Sequence, residues 1–301
     1  MAVNLGPLRV FEAVTRAGSF ARAARRLGVT PPAVSLQIRQ LERDHGVRLF
    51  DRIGRRVRLT AAGQVLGTYA QRIFALAADA EQALEASRGF AAGQLRVVAS
   101  GTAAAYYLPA LLTELRRRYP GLRIQLAVEN SQRVRERILS LEDDLGVLGA
   151  ETAHPDLVLT PLAEDPLVVV APPRHAWAGR RWLGLAELGA AELILRERGS
   201  ASRQLIERHL LRLGTAVAPA MEIASNEVIK RMVELGGGVS LLSAAVVRRE
   251  VERGQLRALP VRGARLVRSI YLVHHRERRE SPLIRAILAV ARDLRRGPRR
   301  R

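Results

Sequence analysis

The chain has 301 residues, enough for two or three domains, and 48% of them are hydrophobic, enough for sizeable cores. Its formal net charge of +20 favours a polyanionic partner, nucleic acid first and an anionic membrane second, and the absence of cysteine excludes disulfides and Cys-based metal or redox centres. Lys230 is the only lysine, and an arginine excess of this kind also follows from a GC-rich genome, so charge alone does not assign the partner.

Leu5, Leu8, Phe11 and Val14 recur at helical spacing and predict a first helix over about residues 4–17, ended by Gly18. Ser19 is a good N-cap for a second helix over 20–27, with Ala21, Ala24 and Leu27 on one face. Gly28 and Val29 make a turn. Thr30 then caps a third helix, which tolerates Pro31 and Pro32 in its first turn because N–H groups there lack intrahelical partners. Val34, Ile38 and Leu41 share one side of it, while Pro32, Ser35, Leu36, Arg39 and Arg43 occupy the other. A DNA-reading helix needs one apolar side for docking and one side of hydrogen-bonding, cationic and methyl-contacting groups. With Thr30, Pro31 and Gln37, the outward residues are the candidate DNA contacts of this helix.

In the next stretch Val57 and Leu59 alternate with Arg56 and Arg58, as in a short strand, and Gly54 suits the turn of a two-stranded wing. Arg55 and Arg56 at its tip can track phosphates or enter a minor groove, and Arg52 is the wing's third candidate. Thr60 caps a helix of about 28 residues ending near Ser87, with Leu66, Tyr69, Ile73, Leu76, Ala80, Ala83 and Leu84 in an apolar stripe. Such a helix needs a second subunit or a domain to cover that face. A dimer suits DNA reading, since two recognition helices then meet half-sites about one helical turn apart.

Residues 89–93 read as a hinge. Strands are expected at 94–100, 122–129, 145–148 and 157–162, with helices from 101 to about 119 and at 132–141. That rhythm argues for a parallel sheet covered by helices on both faces. A second unit begins at 167–171 and continues through strands at 193–195, 221–223 and 239–242 and helices at 202–213 and 227–235. The strand 270–274 and the helix 282–294 resume the first pattern. Two crossings, near 163–166 and 259–268, give two lobes with a cleft between them. The cleft lies where strand ends meet helix N-termini, which attract anions. Three junctions qualify: Ser100-Gly101-Thr102, the run from Arg198 to Arg203 with Ser200 or Ser202 as N-cap, and Ser225-Asn226-Glu227.

These residues resemble the LysR-type transcriptional regulators. The motifs stand in register: Ala17-Gly18-Ser19-Phe20, Ala23-Ala24 with Leu27, Pro32-Ala33-Val34-Ser35, Ile38 with Leu41-Glu42, Gly46 with Leu49-Phe50 and Arg52, and Leu59-Thr60 with Ala62-Gly63. The chain departs from the pattern at Pro31, where the family usually carries a glutamine that can contact DNA, so the operator sequence is not carried over. The resemblance covers the whole chain. It implies a winged helix-turn-helix over 1–60, a dimerising linker helix over 61–88, and a two-lobed α/β effector domain over 89–301, similar to periplasmic solute-binding proteins. Lobe I is about 93–163 and 266–301, lobe II about 164–265. By resemblance Ser100, Gly101, Thr102, Ser200, Ser202 and Asn226 are candidate contacts of a small, anionic effector, and Asn130 is a weaker one. Residues 103–109 and 198–203 look most like the branch that regulates carbon fixation and sulfur or nitrogen assimilation. The implied partners are a pseudo-palindromic double-stranded DNA site, a second copy through the linker helix, a homotetramer and RNA polymerase.

An enzyme finds little support. The six histidines form no HExxH or HxH arrangement, and no GxSxG, phosphate-loop or kinase signature occurs. Gly236-Gly237-Gly238 shapes a helix-to-strand turn rather than a dinucleotide fingerprint. Glu142-Asp143-Asp144 reads as a solvated acidic turn, and the basic tail 295–301 as a solubilising one. No cofactor or metal is expected. Neither a signal peptide nor a run of about 18 apolar residues is present, so the expected location is cytoplasmic, without a membrane partner. The alternative function is a constitutive regulator or architectural DNA binder without an effector, against which the large α/β segment argues.

Overall fold

Polar caps start the first three helices. Asn4 opens α1 (Leu5–Ala17), its side chain accepting the Gly6 N–H; Ser19 opens α2 (Phe20–Leu27), accepting from Arg22; Thr30 opens α3 (Pro31–His45), accepting from Ala33. Gly18, Gly28 and Gly46 end them. Leu8, Phe11, Val14, Ala24, Val34, Ile38 and Leu41 bury together. The close-approach face of α2 is Ala23 and Ala24, whereas Ala21 is exposed, because the short helix meets both α1 and α3. The strands β1 (Phe50–Ile53) and β2 (Arg56–Leu59) pair antiparallel, Phe50 opposite Leu59. α4 (Ala61–Ala86) follows, and its early residues Ala62, Leu66 and Ala70 join the same core, so the first turns are part of the winged domain rather than a bare linker.

The computed structural model describes residues 4–53, 56–86, 88, 93–149, 154–189, 191, 193–214 and 219–296, in two units, Met1–Glu81 and Gln82–Arg301. Residues 89–92 of the expected hinge and the tail from 297 lie outside the described residues.

In the second unit β3 (Gln94–Ser100), β4 (Arg123–Glu129) and β5 (Leu145–Leu148) are parallel, with β3 in the middle. A π-helical turn (Ala103–Tyr107) leads into α5 (Leu108–Arg118), and α6 (Ser131–Leu139) follows β4. β6 (Leu157–Ala171) runs unbroken through the first crossing. After β7 (Leu183–Gly184) and α7 (Leu185–Gly189), the second lobe carries β8 (Leu193–Arg196), α8 (Ala201–Leu211), β9 (Met221–Ile223), α9 (Asn226–Glu234), β10 (Val239–Ser243) and α10 (Ala244–Glu252). β11 (Arg257–Leu259) and β12 (Val261–Arg262) still belong to it, so the second crossing begins only with β13 (Val267–His275); α11 (Pro282–Arg296) completes the first lobe.

The sheet is therefore mixed rather than wholly parallel. β13 pairs antiparallel with β5 and β6, and β6 pairs antiparallel with β10. The reason is the crossing: one strand leaves lobe I and another returns, so the two must run in opposite senses. One core lies beneath Leu95, Val97, Leu145 and Leu272, another around Val169, Leu193, Ile206 and Leu241. Asp143 and Asp144 are buried, not solvated: Asp143 pairs with Arg137, and Asp144 with Arg96 and Arg278. Gly236 and Gly238 sit in the turn between α9 and β10.

Candidate functional site

The third helix presents two unlike sides. Val34, Ile38 and Leu41 are buried, while Pro31, Pro32, Arg39 and Arg43 are exposed and Leu36 is 56% exposed. Ser35 and Gln37 are half-buried between them, and Thr30 is occupied in capping. Arg43 donates to Gln40 Oε1 at 2.9 Å and Gln40 to Asp44 at 2.6 Å, which steadies the C-terminal half. A groove of about 560 Å³ lies there, lined by Leu36, Arg39, Glu42, Arg43, Val47 and Arg48.

Sequence reasoning gave no role to Arg48 and quoted Glu42 only as part of a motif. Arg48 is exposed beside the helix end, and a basic residue between helix and wing was the available signal. Glu42 Oε1 accepts the backbone N–H groups of Leu49 at 2.8 Å and Phe50 at 3.4 Å, tying the wing to α3. That is a physical reason for the Leu-Glu motif. Arg52 and Arg56 take their places on the wing strands by backbone position, whereas Gly54 and Arg55 lie outside the described residues.

Gly63 explains the end of the motif series. A β-carbon there would stand 2.1 Å from the Leu49 carbonyl oxygen. That oxygen accepts the Thr60 N–H at 3.1 Å, and the Thr60 hydroxyl donates to Arg48 O at 2.6 Å and accepts the Gly63 N–H at 3.0 Å. Further along the helix, Tyr69 and Leu84 remain exposed and Leu76 is 68% exposed, so much of the apolar stripe has no cover among the described residues.

In the second unit, the three strand–helix junctions converge on the cleft between lobes. Asn226 Nδ2 donates across it to Thr102 Oγ1 at 3.0 Å, and Arg196 Nη1 donates to Asn226 Oδ1 at 2.7 Å. Ser100 Oγ is buried without a hydrogen-bond partner. Ser200 stands at the N-cap of α8 but shares its hydroxyl with Ser202 at 2.9 Å instead of capping the helix. The first N–H groups of α8 thus lack a side-chain cap, the state that favours an anion. Gly101 has open space around its α-carbon. Asn130 is committed at both ends: its Oδ1 caps α6 by accepting from Arg133 at 3.0 Å, and its Nδ2 donates to Arg198 O at 3.5 Å. The Gln132 N–H also donates to Gly199 O at 3.2 Å, and a side chain on Gly199 would crowd Asn130. Thr102 and Asn226 close the cleft where they meet, and a cavity of about 400 Å³ opens beside the crossing strand, lined by Gly149, Ala201, Gln204, Arg208, Arg268 and Ser269.

The crossing strands hold a buried charge. Asp165 is fully buried and accepts from Tyr107 at 2.9 Å in lobe I, from the Ser243 hydroxyl in lobe II, and from Arg268 Nε at 2.7 Å on the returning strand. Burial, and then the Asp165 charge, push the Tyr107 phenol up, so it stays a donor. Tyr106 reaches over to Glu227 Oε1 and Val246 O, both at 3.4 Å. Among the described residues no group of three or more His, Cys, Asp or Glu could hold a metal ion, and no described helix is long and apolar enough to cross a membrane.

Comparisons with known proteins agree in kind. The family model "LysR substrate binding domain" matches residues 88–296, and "Bacterial regulatory helix-turn-helix protein, lysR family" matches residues 5–64. A RuBisCO operon transcriptional regulator of Allochromatium vinosum is 36% identical over 282 residues, 94% of this chain and 93% of its own. The solved full-length CbnR complexed with target DNA is 25% identical with a TM-score of 0.65, over 97% of this chain and 99% of that one. The Synechocystis CcmR regulatory domain in complex with 2-PG is 29% identical with a TM-score of 0.63, over 68% of this chain and 99% of that one.

Proposed function

This chain belongs to the lysR family of bacterial regulatory helix-turn-helix proteins, and from that premise we propose how its parts divide the work of a DNA-binding transcriptional regulator with an effector-binding domain. The outward side of α3 reads base edges through Ser35, Leu36, Gln37 and Arg39. Thr30, Pro31 and Pro32 lie against the DNA at its start, Arg43 and Arg48 hold phosphates at its end, and the wing adds Arg52, Arg55 and Arg56. The observation that carries this reading is the split of α3 into a docked apolar side and an opposite side whose Pro31, Pro32, Leu36, Arg39 and Arg43 are exposed. The effector is a small anionic metabolite held between the lobes at Ser100, Gly101, Thr102, Ser200, Ser202 and Asn226, with 2-PG, the ligand of the CcmR domain, the first compound to try. The protein works in the cytoplasm without chemistry of its own, and RNA polymerase is its partner at the promoter.

The test is DNase footprinting at about 150 mM salt with competitor DNA, which suppresses counterion-driven binding. A bounded footprint over two half-sites is expected on DNA upstream of this gene or of others in the genome. Replacing Ser35 and Arg39 together by alanine should remove two base contacts and weaken operator affinity by about 2–6 kcal/mol. The melting temperature should stay near wild type, since neither side chain is in the core. An unchanged footprint would remove α3 from the DNA interface.

Two copies dimerise through α4, and dimers pair into tetramers. Leu76→Glu puts a charge into the exposed apolar stripe and should weaken dimerisation by more than about 2 kcal/mol. Sedimentation equilibrium reads the result; an undiminished dimer would place the interface elsewhere.

A further inference from the structure

Arg196, which sequence reasoning left out of the site, is buried at the end of β8. Its Nε and Nη2 donate to the two carboxylate oxygens of Glu197 at 2.8 and 3.0 Å, and its Nη1 donates to Asn226 at 2.7 Å. Successive side chains on a strand point to opposite faces. This pairing of neighbours exists because β8 ends at Arg196 and the chain turns, the Ser200 N–H donating to Glu197 O at 3.2 Å. A guanidinium fork gripped by two parallel oxygens is the arrangement that arginine makes with a free carboxylate or phosphate. The fork stands one hydrogen bond from Asn226, which spans the cleft to Thr102, within two residues of the unpartnered, buried Ser100 hydroxyl.

We infer that Arg196 reads the anionic group of the effector, and that Glu197 is an internal stand-in which a ligand carboxylate or phosphate displaces. This deepens the cleft reading above and rests on it. The stand-in sets the affinity threshold. A carboxylate one residue away has a high effective concentration, so the apparent affinity of a ligand falls by the fraction of time the fork is unoccupied. The displaced Glu197 carboxylate, 18% exposed as a side chain, already borders solvent and can be hydrated.

The experiment titrates the full chain with inorganic phosphate and, separately, with acetate, by calorimetry and by shift of the melting temperature. Glu197→Gln keeps one acceptor for the fork but removes the competing charge, and should bind the preferred anion about tenfold more tightly than wild type. Arg196→Gln should bind neither anion, and Arg196→Lys, with the charge but no fork, should recover only part of the affinity. Preference for phosphate over acetate identifies a phosphorylated ligand, and the reverse a carboxylate; either supports the assignment. The far-ultraviolet circular dichroism of each variant without anion should match wild type, which reports intact folding. Unchanged or weaker binding by Glu197→Gln, undiminished binding by Arg196→Gln, or no anion binding by any form would overturn it. Thr102→Val separates the two readings. If it abolishes anion binding while Arg196→Gln does not, the cleft stands and the Arg196 assignment falls. If neither variant changes anion binding, both fall.

Discussion

Asp165→Ala should destabilise the C-terminal unit by about 3–5 kcal/mol, the usual cost of removing one partner from a buried ion pair. The carboxylate is fully buried and serves three donors, from Tyr107, Ser243 and Arg268. Its loss leaves the buried Arg268 guanidinium without that counter-ion and two hydroxyls without that acceptor. Each unsatisfied group alone costs about 1–3 kcal/mol, but the three share one site and do not add. Burial makes the difference: exposed pairs such as Arg117–Glu114 on α5 are worth about 0–1 kcal/mol. Urea denaturation measures the effect. A loss under about 1 kcal/mol would mean that water takes the place of the carboxylate. Removing the whole pair, as Asp165→Leu with Arg268→Met, should recover most of the stability, because no unpaired charge then remains. Asp165 joins Tyr107 of lobe I to Ser243 of lobe II at the crossing, so the single variant should also loosen the crossing between the lobes.

Gly63→Ala should cost the winged domain about 1–3 kcal/mol or more by overpacking. Two effects oppose each other. Alanine is the better helix former by about 1 kcal/mol. Its β-carbon, however, would stand 2.1 Å from the Leu49 carbonyl oxygen, far inside contact distance. That oxygen cannot simply retreat, since it accepts the Thr60 N–H and belongs to the residue whose own N–H is held by Glu42. The clash wins, and relief must come by shifting α4 against the wing. Operator affinity should therefore fall together with thermal stability. An alanine variant as stable as wild type would show that α4 slides at no cost, and the close approach would lose its role.

The winged domain was legible almost to the residue because its signals are local. Ser19, Thr30 and Thr60 cap the helices they precede, and Val34, Ile38 and Leu41 dock as their spacing demands. Caps and periodicity act within about one or two turns of helix, so a linear pattern contains them. Ala21 failed the same test because a two-residue shift around an eight-residue helix depends on which neighbours it meets.

The second unit divided differently. Most of its strands and helices were legible, though not β7, α7, α10, β11 and β12, and so were the three strand–helix junctions. The mixed sheet was not, since strand direction follows from the path of the crossing rather than from any strand's own residues. The acidic run at 142–144 carried no mark of burial, because a carboxylate is tolerated inside only when a distant cation meets it, here Arg96 and Arg278 for Asp144. The sequence by itself determined the two-part plan, the two-sided third helix and the small polar residues where strands meet helices. Only the tertiary structure decided that Arg196 belongs with them. Its link to Asn226 spans 30 positions and the link from Asn226 to Thr102 spans 124, and contacts of that range are made by packing, which leaves no periodic trace in the chain.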